Sequence, residues 1–150
     1  MGQSIAKNYL HITFSTKHRQ PLIDEQIEAE LHSYIGGVCK NMDCQPITVG
    51  GYTDHIHLLC LLSKKVTLVK LMEEIKGGSS KWIKSKGDRY NAFHWQDGYG
   101  ALSVNPSELD AVINYVANQK EHHRTKTFQE EYRAFLTKYK IEFDERYVWE

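Results

Sequence analysis

The chain has 150 residues, of which 41% are apolar and 11% aromatic, and its formal net charge at pH 7 is zero. This length and composition suit one globular domain with a substantial core, so we expect a single domain over residues 1–150. The longest hydrophobic run, residues 56–62, is far shorter than the ~20 residues of a membrane span, and the N-terminus lacks the apolar core of a signal peptide, which together favour the cytoplasm.

The first half of the chain predicts strands and helices in alternation. Residues 9–16 alternate apolar and polar side chains, as in a half-buried strand. Asp24 is a helix cap, and apolar residues at helical spacing follow it to about residue 41. Strands are predicted at residues 45–49 and 55–62, with a break at Gly50-Gly51, and a further helix begins at Thr67 and is weakened by Gly77-Gly78.

The second half adds one strand and two helices. Residues 87–100 are typical of a loop, and residues 102–104 of a short strand. Helices are predicted to begin at Asn105-Pro106 and at Thr127, and the tail, residues 141–149, is predicted to be extended. The order matches an α+β fold with a ferredoxin-like split βαβ antiparallel sheet and helices packed on it. Because residues 56–62 are apolar on both faces, the second face needs cover from the C-terminal segment or a second subunit.

A histidine pair lies at the start of one predicted strand. Side chains two residues apart on a strand project from the same face, so His55 and His57 point together while Ile56 enters the opposite layer. Two adjacent imidazoles form half of a divalent-metal site and leave positions for a third ligand and for substrate oxygens. Alone, such a pair is more often unliganded.

A tyrosine and a glutamine lie one turn apart on the helix after Asn105. Tyr115 and Gln119 flank the apolar stripe of that helix, where i and i+4 side chains are neighbours. Alone, this pattern is also typical of an amphipathic helix with a boundary tyrosine. His122 and His123 follow within reach of Gln119, but we expect them to be solvated at the helix end.

Taken together, these motifs resemble the HUH single-tyrosine transposases of the smallest bacterial insertion sequences, in which U is a bulky apolar residue. The resemblance extends over nearly the whole chain. The segments that carry it are residues 11–17 (HITFSTK), 51–57 (GYTDHIH), 76–82 (KGGSSKW), 95–100 (WQDGYG), 115–123 (YVANQKEHH) and 128–132 (FQEEY).

The resemblance implies a role for each matching residue. His55, His57 and Gln119 would bind a divalent ion, Mg²⁺ or Mn²⁺, and Tyr115 would be the nucleophile. It further implies cleavage and rejoining of single-stranded DNA at hairpin ends of a mobile element, through a 5′-phosphotyrosine and without ATP. It also implies a homodimer, because two strand ends must be held at once, with a site that the two subunits can share.

A basic stretch supplies candidate DNA contacts. Residues 64–89 contain eight lysines and arginines against three acids, a local charge of +5. Lys76, Lys81, Lys84 and Arg89 are predicted to hold backbone phosphates, and the interleaved aromatic residues Trp82, Tyr90, Phe93 and Trp95 to stack unpaired bases.

Three other functions are compatible with parts of the pattern. A non-catalytic relative would bind a single-stranded DNA hairpin without cutting it. A replication or conjugation nickase would use the same chemistry, but such enzymes typically carry a second tyrosine or further domains. A ferredoxin-like regulatory domain would use His55 and His57 to sense a metal. None of the three accounts for the register of Tyr115 and Gln119.

Overall fold

The computed structural model describes residues 2–123, 125–146 and 148–149, and its centre is a four-stranded antiparallel sheet. The strands are β1 (Asn8–Ser15), β2 (Gln45–Tyr52), β3 (His55–Leu62) and β4 (Gly100–Ser103), in the order β2-β3-β1-β4. Helix α1 (Glu25–Asn41) joins β1 to β2, and α2 (Leu68–Lys84) lies between β3 and β4. The fold is therefore the predicted α+β arrangement, with the strand order of a split βαβ unit.

One face of the sheet forms the hydrophobic core with α1 and α2. Leu10, Ile12 and Phe14 of β1 alternate with polar neighbours and point into this layer, as do Ile56, Leu58 and Cys60 of β3. The helices contribute Ile27, Leu31, Ile35 and Cys39 from α1 and Leu71, Met72, Ile75 and Ile83 from α2. Asp24 caps α1 as predicted, because its carboxylate accepts a hydrogen bond from the backbone N–H of Ile27 at 3.0 Å.

The opposite face of the sheet is covered by the C-terminal part of the chain. Helices α3 (Leu109–Ala117), α4 (Gln119–His122) and α5 (Phe128–Lys138) provide this cover. Phe128 stacks on His55, and Phe135 packs edge-on against His11. The predicted cover for the second face of β3 thus comes from this chain itself, and the histidines of β1 and β3 lie beneath it.

Two glycine pairs lie inside regular elements: Gly50-Gly51, where a strand break is predicted, and Gly77-Gly78, which is predicted to weaken a helix. Strand β2 continues through Gly50-Gly51, because both residues pair with β3, and Gly50 lets α3 approach closely. A Cβ atom on Gly50 would lie 2.5 Å from the carbonyl oxygen of Val116. Helix α2 likewise runs through Gly77-Gly78, where a Cβ on Gly78 would lie 2.9 Å from the hydroxyl of Tyr34. Gly50 and Gly78 thus permit close packing, against α3 and Tyr34 respectively.

The tail departs from the predicted extended conformation. Residues 141–144 have no regular structure, and turns follow them. The backbone oxygen of Val148 accepts a hydrogen bond from Nε2 of Gln96 at 3.1 Å, which ties the tail to the segment before β4. Within the described ranges, no helix combines the length and apolar character that crossing a membrane requires.

Candidate active site

The two histidines of β3 project from the same face of the sheet, as their spacing predicts. Both side chains are fully buried, and their ring centroids lie 5.0 Å apart. The Nδ1 atom of His55 lies 2.7 Å from a carboxylate oxygen of Asp54, which holds the ring so that Nε2 faces the interior. This orientation suits His55 to bind an ion through Nε2.

His57 is held from both sides. Its Nδ1 atom lies 2.8 Å from Nε2 of His11 on β1, and its Nε2 atom lies 2.9 Å from Oε1 of Glu131 on α5. Burial lowers the pKa of His57 to about 4, against the opposing effect of Glu131, and burial likewise lowers the pKa of His11 to about 3. Both imidazoles are therefore neutral near pH 7, which is the form that binds metals.

Glu131 is buried, with only 2% of the residue exposed. It lies at the centre of a cluster that also contains His55, His57, His122 and His123. Its Oε1 atom faces the histidine pair, 3.7 Å from Nε2 of His55. Its Oε2 atom lies 3.1 Å from Nε2 of His122 and 3.3 Å from Nε2 of His123. Although burial acts to raise it, the pKa of Glu131 is far below its ordinary value, because His123 and His57 hydrogen-bond to the carboxylate. The group is an anion at neutral pH.

Four of these side chains meet the requirements of a metal site. One ligand atom from each of His55, His57, His123 and Glu131 lies within 4.8 Å of all the others. Three imidazoles and a carboxylate are donors that suit first-row transition metals, so these four residues could hold a divalent ion such as Mn²⁺. The expectation that His123 is solvated is wrong, because its side chain is only 3% exposed and lies inside the cluster.

Gln119 joins the cluster in spite of a helix break. The predicted single helix is divided at Asn118, where α3 ends and α4 begins. Nevertheless, Nε2 of Gln119 donates to the carbonyl of Tyr115 at 3.2 Å, and its Oε1 atom lies 2.9 Å from Nε2 of both His55 and His123. The break therefore leaves the predicted third ligand next to the histidine pair.

Tyr115 reaches the same cluster from α3. Its hydroxyl donates to Oε2 of Glu131 and lies 3.3 Å from Nε2 of His122. The ring packs edge-on against His57, with centroids 5.6 Å apart. Burial, together with Glu131, raises the pKa of Tyr115 above its ordinary value, so the hydroxyl keeps its proton in this arrangement. One chain thus brings the predicted nucleophile and the predicted ligands together.

The four basic residues that were predicted to contact DNA lie away from the histidine cluster. They belong to α2 and the loop after it, across the sheet from the histidine pair. Lys76 donates to the backbone oxygens of residues 96, 97 and 98, and Arg89 pairs with Asp24, whereas Lys81 is exposed and Lys84 half-buried. Of the aromatic residues predicted to stack bases, Tyr90, Phe93 and Trp95 are buried in the core.

Sequence reasoning missed Glu131 and His123, and each had a detectable signal. Glu131 interrupts the apolar stripe of α5, because it is spaced three and four residues from Phe128 and Phe135, which both pack on the sheet. An acid at such a position needs a buried partner. His123 is four residues after Gln119, the same spacing that links Gln119 to Tyr115.

Comparisons with known proteins agree with the geometry. The family model for IS200-like transposases matches residues 4–119. A protein from Deinococcus radiodurans R1, described as a transposase, has a similar structure (TM-score 0.61, 18% identity, 79% of this chain and 96% of that chain covered). So does a REP-associated tyrosine transposase bound to a REP hairpin (TM-score 0.58, 13% identity, 82% and 73% covered). No curated protein shows significant similarity to the sequence.

Proposed function

The chain belongs to the IS200-like family of HUH single-tyrosine transposases, and from that membership we propose that it cleaves and rejoins single-stranded DNA through Tyr115. The observation that supports this most strongly is the convergence of Tyr115 with His55 and His57 on one buried carboxylate. Residues from β3, α3 and α5 meet there although they are far apart in sequence. A tyrosine packed only for stability would not need such partners.

The proposed reaction is an in-line displacement at a phosphodiester. The oxygen of Tyr115 forms a bond to phosphorus, and the proton of its hydroxyl is released to solvent. The bond from phosphorus to the 3′ oxygen breaks, and that oxygen takes up a proton, which leaves a 5′-phosphotyrosine and a free 3′-hydroxyl. Because the phosphotyrosine ester retains a phosphoester bond, a 3′-hydroxyl can reverse the step and rejoin DNA without ATP.

A divalent ion completes the proposed site. His55, His57 and Gln119 would hold Mg²⁺ or Mn²⁺, which when bound neutralises charge on the scissile phosphate. The role of Asp54 and His11 is to fix the two imidazole rings through their Nδ1 atoms, so that each Nε2 atom remains directed at the cluster. The proximity of Tyr115 and His57 in one chain favours a site assembled within a single subunit.

The proposed substrate is a single-stranded DNA hairpin at the end of a mobile element. The likeness to a transposase bound to a REP hairpin supports this substrate class. Lys81 and Lys84, which lie about one turn apart on α2, are the candidates for phosphate contacts. Lys76 and Arg89 would join them once their present hydrogen bonds to the protein open.

The test is the formation of a covalent adduct. The protein is incubated with labelled single-stranded DNA from the flanks of its own gene, with and without Mg²⁺ or Mn²⁺, and analysed under denaturing conditions. We expect an adduct that needs both metal and single-stranded DNA and is lost in Tyr115→Phe. The matched control is Tyr139→Phe, because Tyr139 is an exposed tyrosine at the C-terminal end of α5. This variant should form the adduct as well as the wild type does. Hairpin binding without any adduct would instead favour the non-catalytic relative.

A further inference from the structure

The two oxygens of Glu131 face different groups. Oε1 lies 2.9 Å from Nε2 of His57 and 3.7 Å from Nε2 of His55, the two atoms expected to bind an ion. Oε2 accepts the hydrogen bond from the Tyr115 hydroxyl. A single buried carboxylate therefore connects the histidine pair to the nucleophile.

His123 approaches the cluster from the other side. Its Nδ1 atom lies 2.6 Å from the backbone oxygen of Lys126, which occupies that nitrogen and leaves Nε2 for the interior. Nε2 lies 2.9 Å from Oε1 of Gln119, and the ring packs against His55 with centroids 4.5 Å apart. This is the arrangement found for metal-binding histidines, in which the second nitrogen is held by a carbonyl.

We propose that Glu131 and His123 are metal ligands in addition to the histidine pair, and that Glu131 binds the ion through Oε1 while Oε2 holds the Tyr115 hydroxyl. The metal-binding part follows from the donor atoms alone. Only the role of Tyr115 rests on the proposed function. The carboxylate would then place the Tyr115 hydroxyl at a defined position relative to the ion.

The enlarged donor set also alters the expected metal preference. Three imidazole nitrogens favour transition metals, whereas Mg²⁺ prefers an all-oxygen shell and retains several waters. We therefore expect Mn²⁺ to bind more tightly than Mg²⁺, by a margin that shrinks when His123 is removed. Competition between the two ions in the same titration measures this margin.

The experiment is a calorimetric titration of the DNA-free protein with Mn²⁺. We expect Glu131→Gln and His123→Ala each to weaken Mn²⁺ binding by more than the roughly 10- to 100-fold that is lost when a residue that only orients a ligand is changed. Glu130→Gln is the control for the first variant, because Glu130 is an exposed neighbour on α5 whose capping interaction with Thr127 a glutamine can keep. His94→Ala, at an exposed histidine, is the control for the second.

A second measurement uses the unaltered protein and so does not depend on the folding of any variant. Nitrogen couplings in the pulsed EPR spectrum of bound Mn²⁺ count the imidazole ligands, and we expect three. Two imidazoles, or Mn²⁺ affinities in Glu131→Gln and His123→Ala equal to that of the wild type, would overturn the proposal, as would a wild-type protein that binds no Mn²⁺. None of these readouts involves DNA, so failure of the strand-transfer reaction would be recognised separately by the adduct assay.

Discussion

At the scale of single residues, the cluster beneath α5 makes stability depend on pH. The pKa of His57 is lowered to about 4, mainly by burial, from an ordinary value of 6.5. A group with a lowered pKa binds protons more readily in the unfolded chain, so its contribution is complete above pH 6.5 and is lost as the pH falls toward 4. His11 and Glu131, whose pKa values are also lowered, act in the same direction, and the raised pKa of His123 opposes them.

We therefore expect the free energy of unfolding of the metal-free protein to decrease between pH 6.5 and pH 4, with His57 contributing on the order of 3 kcal/mol. Urea denaturation at several pH values measures this dependence. In His57→Gln the slope should be shallower, since a glutamine does not titrate, and His94→Gln, at an exposed histidine outside the cluster, is the control. Equal slopes in His57→Gln and the wild type would contradict the assignment.

At the scale of elements, the position of α3 depends on one glycine of β2. Gly50 lies directly under α3, where a Cβ atom would come within 2.5 Å of the backbone oxygen of Val116, next to Tyr115. Because the opposing atom is backbone, it cannot move without shifting the helix. Gly37 on α1 offers the contrast, since no atom lies within 4 Å of the position that its Cβ would take.

These two glycines predict opposite effects of the same substitution. Gly50→Ala should destabilise the protein by about 1–3 kcal/mol, as overpacking does, and should reduce adduct formation by displacing Tyr115. Gly37→Ala should instead stabilise it by roughly 0.5–1 kcal/mol, because alanine favours a helix. Chemical denaturation of both variants tests the prediction. A stable Gly50→Ala variant with normal adduct formation would show that α3 can move freely.

At the scale of the whole molecule, the cluster is built within one chain, while the proposed reaction would join two DNA ends. Each chain supplies one proposed nucleophile, so we expect two chains to act together during strand transfer. Sedimentation analysis with and without a hairpin substrate tests this expectation, which predicts a dimer in at least the DNA-bound state. A protein that remains monomeric in both states and still exchanges strands would contradict it.

Much of the molecule was predictable from local patterns. The alternation in β1, the Asp24 cap of α1 and the order of elements lead directly to the split βαβ sheet. The two-residue period of a strand likewise places His55 and His57 on one face. These features depend on residues close in sequence, where backbone geometry leaves few alternatives. Tyr115 and Gln119 remain neighbours despite the helix break between them, because the side chain of Gln119 donates a hydrogen bond to the backbone oxygen of Tyr115.

Only the tertiary structure brought Glu131 and His123 to the histidine pair. Glu131 lies 74 positions after His57 in the chain, and its contact depends on how α5 packs across the sheet. The Gly50-Gly51 pair was also misleading in isolation, because Gly50 makes room for Val116, which lies far away in the sequence. The sequence by itself thus determined the order of strands and helices and the paired imidazoles, because these follow from backbone periodicity. Only the packing of α4 and α5 on the sheet brought all the donor atoms together, because contacts between residues far apart in the chain produce no pattern in the local sequence.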